Sequence, residues 1–156
     1  MKRHCLIVLA LGLLCRTVHA APLAVGDALP VITATDQHGK PFTLTTNLQF
    51  LLVATERACA QAANRKLAKQ GAEFLEKHQA AYLMDIHTMP SVARIFALPK
   101  MRKYPHRVVL VDSADTLTNF PTQPGRVTVL GLTSGGRIRK IDHWNPDDEP
   151  VAGYLE

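Results

Sequence analysis

The chain is poor in cysteine: it has three in 156 residues, and two of them, Cys5 and Cys15, stand within the first twenty. The third is Cys59, and the residue three places on is Ala62, so no Cys-x-x-Cys is present. Disulfide exchange by a dithiol needs a nucleophilic thiolate and a second thiol to resolve the mixed disulfide, and that class of chemistry is excluded. No His-x-x-x-His and no acidic triad offers a metal site, so Asp85, His87, His106 and His143 read as ordinary polar residues. No uninterrupted apolar run reaches the ~20 residues a membrane-spanning helix needs. Repeats, low-complexity tracts and linkers are missing too.

What is present at the start has the form of an export signal. Lys2, Arg3 and His4 precede the apolar run Cys5 to Cys15, Arg16 interrupts it, and Val18-His19-Ala20 supplies small or apolar residues where a signal peptidase reads. Gly12 and Leu14 before Cys15 do not fit a lipoprotein signal, so residues 1–20 are expected to be a cleaved signal peptide and 21–156 a single periplasmic domain. Removing Lys2, Arg3 and Arg16 lowers the formal charge from +5 to +2, with 15 Lys and Arg against 13 Asp and Glu. Cys59 then has no partner in the chain, and an oxidising compartment cannot make this domain a disulfide scaffold. Its 136 residues suffice for one packed core.

The hydrophobic pattern gives the element order. Residues 29–35 read as a strand, Asp36-Gln37-His38-Gly39-Lys40 as a turn, and Pro41-Phe42-Thr43-Leu44 as a returning strand. Residues 49–55 are almost continuously apolar, as in a central strand covered on both faces. From Cys59 to Gln79, Ala63, Leu67, Gly71, Phe74, Leu75 and His78 recur at helical spacing. A strand over 81–87 follows. Then comes a helix starting near Pro90, with Val92, Ile95 and Phe96 as its buried stripe and Pro99 as its stop. Residues 107–111 form another buried strand, and 126–132 with 137–141 close the chain as a hairpin around Ser134-Gly135-Gly136. The expected class is α/β, with a mixed central sheet, an N-terminal β-hairpin and helices on both faces.

That order, Leu29-Pro30 with Thr35 to Leu44, and the ending Gly135-Gly136-Arg137-Ile138 resemble the thioredoxin superfamily in its peroxiredoxin-like branch, over most of residues 25–142. Within it, Arg57 to Asn64, Lys103-Tyr104-Pro105, Val111-Asp112-Ser113, Gly131 and Gly136 are similar to the YtfJ family of small secreted bacterial proteins. That resemblance implies a thioredoxin-like fold without Cys-x-x-Cys, and no catalytic residues or cofactor. Redox-active thioredoxins place a cis-proline where this chain has Val127-Thr128, and Val127 is expected to be trans because a non-proline cis bond costs about 3 kcal/mol. Peroxiredoxins place Thr three residues before the reactive Cys, and here that position is Glu56.

Two functional readings follow. In the first, the domain is redox-inactive and binds a periplasmic protein or a small ligand through Glu56, Arg57, Pro124, Gly125, Arg126 and Val127. In the second, Cys59 is the nucleophile of a monothiol oxidoreductase or peroxidase, with Arg57 or Arg126 stabilising its thiolate at a helix N-terminus. The competing reading of Cys59 is a small half-buried hydrophobe. Arg94, Lys100, Arg102, Lys103, His106 and Arg107 form a basic run with two readings, a site for an anionic partner or lipid headgroups and, as the default, a solvated face; beyond Tyr104 it lacks the aromatic platform of a nucleic-acid binder. Trp144 reads as a cap on a sheet edge. N-terminal sequencing of exported protein should begin at Ala21; retention of residues 1–20, or a lipid on Cys15, would reject the signal-peptide reading.

Overall fold

A computed structural model describes residues 21–44 and 47–156; the signal-peptide reading falls outside them. The strands are β1 (Thr33–Asp36), β2 (Pro41–Thr43), β3 (Phe50–Ala54), β4 (Ala80–Asp85), β5 (Val109–Val111), β6 (Val127–Leu132) and β7 (Ile138–Trp144). They form one mixed seven-stranded sheet in the order β2-β1-β5-β4-β3-β6-β7. β3, β4 and β5 run parallel, and the hairpins β1–β2 and β6–β7 flank them antiparallel. The fold is the thioredoxin-like α/β fold expected from the sequence.

All five residues of β3 are buried, as the unbroken apolar run requires. Phe50, Leu52 and Ala54 point into one core layer and Leu51 and Val53 into the other. Three helices are described: α1 (Arg57–Gln70), α2 (Phe74–Lys77) and α3 (Ser91–Met101). All three place their apolar residues in the first layer, with Cys59, Ala63, Leu67, Leu75 and Met101 among them. Leu117, Phe120 and the stretch around Leu23 and Leu29 cover the second layer, so helical cover is on one face and not both. The cause is topological. The chain steps β3 to β4 to β5 in a single direction, and right-handed crossovers then lay both connecting helices on the same side.

The structure corrects the helices further. The expected helix from Cys59 to Gln79 is two: α1 ends at Gly71, whose φ of 92° suits glycine, before the short α2 begins. In α3 the expected stripe is turned outward, with Val92, Ile95 and Phe96 at 67%, 67% and 68% exposure. The inward residues are Ala97, Leu98 and Met101, and Pro99 lies within the helix without ending it. Arg94 fixes this rotation. Its guanidinium donates to the backbone oxygens of Met89, Ile86 and His87 at 2.9, 2.9 and 3.3 Å, and it forms an ion pair with Asp112.

At the other edge, Trp144 is fully buried and its Nε1–H donates to the Glu149 carbonyl at 3.0 Å. The tail beyond it turns back over the first core layer, where Val151 and Leu155 are buried. Leu67→Ala, deep in that layer, should cost about 2–5 kcal/mol in urea unfolding. Ile95→Ser should change stability by less than about 0.5 kcal/mol, as surface changes do; the reverse ranking would mean that α3 is rotated.

Candidate functional site

The C-terminal ends of β3 and β4, the start of α1 and the 121–126 loop lie together, at the end of parallel strands where open α/β sheets bind ligands. Glu56 leaves β3 in extended conformation as the residue before α1. Its Oε2 accepts the Gly125 N–H at 3.1 Å, tying the loop to the helix start. Glu56, Arg57, Pro124 and Gly125 are exposed and Arg126 is half-buried. Val127 is fully buried opposite Trp144, so it lies beneath this surface and offers it no side chain. No cis peptide bond occurs among the described residues, Val127 included.

Cys59 lies in the first turn of α1 and faces inward, 3% exposed, in the layer that holds Val127, Trp144, Val151 and Leu155. Burial pushes its thiol up to about 11, and the charges of Glu56 and Asp147 push the same way. No arginine is among the charges acting on it. Arg126 donates from Nη1 to the His143 carbonyl at 3.1 Å, on the β7 side. The structure therefore brings Glu56, Arg57, Pro124, Gly125 and Arg126 to one end of the sheet but does not join Arg57 or Arg126 to the sulfur. A reactive cysteine needs an electropositive, accessible setting, and this one is buried beside carboxylates.

Sequence reasoning missed a polar pair in the same layer. Asn64, on the inner face of α1, donates from Nδ2 to the Ala60 carbonyl at 2.9 Å. Its Oδ1 lies 3.0 Å from His106 Nε2, so that ring nitrogen carries the proton and donates. Both residues are about 98–99% buried. His106 Nδ1 has no partner, and the ring stacks on Tyr104 at a centroid distance of 5.3 Å. The signal available was one polar residue within the apolar stripe of Ala60, Ala63 and Leu67, and a histidine opening a buried strand.

A cleft of about 100 Å³ opens beside Arg57 between α1 and α3, lined by Gln61, Asn64, Met84, Lys100 and Tyr104 among others. Sites for drug-sized ligands run to roughly 300–1,000 Å³, so this cleft admits one side chain or a very small molecule. A larger cavity of about 550 Å³ lies at the opposite end of the sheet, near Phe42, Gln79 and Arg107. Among the described residues no group of three or more His, Cys, Asp or Glu is placed to hold a metal. Asp85 Oδ1 accepts the His87 backbone N–H at 2.8 Å.

No protein-family model matches the chain, and no curated protein does. Solved structures match it in fold. The thioredoxin domain of a thiol-disulfide oxidoreductase from Bacteroides vulgatus is 16% identical with a TM-score of 0.58, covering 86% of this chain and 99% of that one. A peroxiredoxin-like protein from Aquifex aeolicus is 9% identical with a TM-score of 0.57, covering 86% and 85%. A candidate DsbE-type thiol:disulfide interchange protein from Chlorobium tepidum is 14% identical with a TM-score of 0.57, covering 86% and 99%. At these identities the likeness is one of fold.

Burial holds His106 down to about 4, against about 6.5 for a free histidine. The unfolded chain then binds the extra proton first as pH falls, so this contribution to stability is complete above about 6.5 and is lost on the way down to 4. The loss across that window should be about 2–4 kcal/mol. His143, also lowered by burial, titrates in the same direction, so the measurement is the difference between wild type and His106→Phe in urea unfolding at pH 7 and pH 4.5. Equal pH slopes for the two proteins would contradict it.

Proposed function

We propose that the chain is an exported, redox-inactive thioredoxin-fold protein that binds a partner at the Cys59 end of its sheet, through Glu56, Arg57, Pro124, Gly125 and Arg126. The observation that carries this reading is the state of the thiol: buried, pushed up to about 11, and followed at the resolving position by the equally buried Ala62. The small volume of the cleft beside Arg57 favours a protein partner over a small ligand. Export and a periplasmic location rest on the pattern of residues 1–20, and membership of the YtfJ family rests on Arg57 to Asn64, Lys103-Tyr104-Pro105, Val111-Asp112-Ser113, Gly131 and Gly136. No described helix is long and apolar enough to cross a membrane.

A second reading has its own support. Several proteins of the same fold carry names of thiol-disulfide oxidoreductases. Under that reading Cys59 is a monothiol nucleophile, Arg57 or Arg126 stabilises its thiolate, and an external thiol resolves its mixed disulfide. The two are separated by alkylation and turnover. Under the preferred reading, Cys59 in the folded protein reacts with iodoacetamide more slowly at pH 8 than a free cysteine does, insulin reduction with dithiothreitol stays at background, and Cys59→Ser rescues a deletion strain as well as wild type. Turnover that disappears in Cys59→Ser would establish the monothiol enzyme instead.

A further inference from the structure

We propose that the outward face of α3, with the basic turn after it, is a peripheral docking surface for an anionic lipid bilayer. Val92, Ile95 and Phe96 stand at i, i+3 and i+4 on this helix, each about two-thirds exposed. Scattered apolar side chains on a surface are ordinary, whereas three at this spacing make a continuous ridge. Their exposure is built in. Arg94, held by three backbone oxygens and Asp112, sets the rotation of the helix while Ala97, Leu98 and Met101 fill the core.

The charge along α3 and the turn after it has one sign. From Ile86 to Val111 there is no Asp or Glu, and five Lys or Arg. Arg94 is neutralised by Asp112 and Arg107 by Asp36. Lys100, Arg102 and Lys103 have no carboxylate partner among the described residues, and all three are exposed. Three unneutralised cations at the C-terminal end of an apolar ridge match an interface that presents anionic headgroups above acyl chains. A second copy of the chain fits poorly, because this segment carries no Asp or Glu from Ile86 to Val111 and so offers no carboxylate to meet the cations of its copy. The ridge projects outward and the neighbouring cleft is lined from its other side by Ala93 and Ala97, so a partner that yields in shape suits it better than one with a fixed pocket.

The test uses residues 21–156, which hold the whole sheet, in co-sedimentation with vesicles of phosphatidylcholine alone or of equal phosphatidylcholine and phosphatidylglycerol. The expected result is binding to the phosphatidylglycerol vesicles that weakens with salt. It should fall by about tenfold or more in Ile95→Ser/Phe96→Ser and in Lys100→Glu/Lys103→Glu. Thermal melts check that the variants fold, and a polarity-sensitive dye on Val92→Cys, blue-shifted by the same vesicles, reports the contact with the ridge otherwise intact. Absence of binding, equal binding to both vesicle types, or full binding by Ile95→Ser/Phe96→Ser would overturn the proposal. Binding of an acidic polypeptide such as polyglutamate through the same residues, without vesicle binding, would replace the bilayer by an acidic protein.

Discussion

β3 has no solvent face, and most of the architecture follows from meeting that requirement. Five consecutive buried residues need pairing on both edges and cover on both sides. β4 supplies a parallel edge, β6 an antiparallel one, and the helical layer with the loop layer supplies the cover. A parallel neighbour can be reached only by a crossover, so α1 must leave the C-terminal end of β3 and return to start β4. The same step places Glu56 and Arg57 at the end of the sheet, beside the loop that enters β6. The candidate surface is thus a by-product of how the central strand is buried.

Legibility in the sequence tracks how strongly one pattern excludes its rivals. The run Phe50 to Ala54 has no alternative to a covered strand, and Gly135-Gly136 between two apolar stretches has none to a hairpin, so both were readable. The segment Val92 to Leu98 is apolar at every position except Arg94, and a helix apolar nearly all round gives the 3.6-residue period nothing to choose between faces. Tertiary anchors made the choice, through Arg94 and Asp112. Gly71 falls at helical spacing within the stripe, and its positive φ makes it the terminator of α1. The sidedness of the helices was not visible until the strand order was known.

At the site, the sequence placed Cys59 correctly at the start of α1 but could not tell its surroundings. Those depend on residues far along the chain. The tail from Asn145 to Pro150 is rich in polar residues, yet Val151 and Leu155 behind it return to the layer that holds the thiol. Asp147 adds a negative charge near the sulfur. The general expectation of a lowered pKa at a helix N-terminus therefore lost to desolvation and two carboxylates, the larger effects here. His106 belongs to the basic run that reads as a solvated face, yet it is buried against Asn64, because a buried polar pair is recognisable only when both members are seen to meet.

That pair bears on the geometry of both surfaces. The hydrogen bond from His106 to Asn64 joins the segment leading into β5 to the middle of α1 inside the core, where an unmet polar group would be costly. Asn64 also lines the cleft between α1 and α3, with Arg57 at one side and Lys100 at the other. The end of the sheet and the basic flank of the α3 ridge are therefore neighbours across a narrow gap.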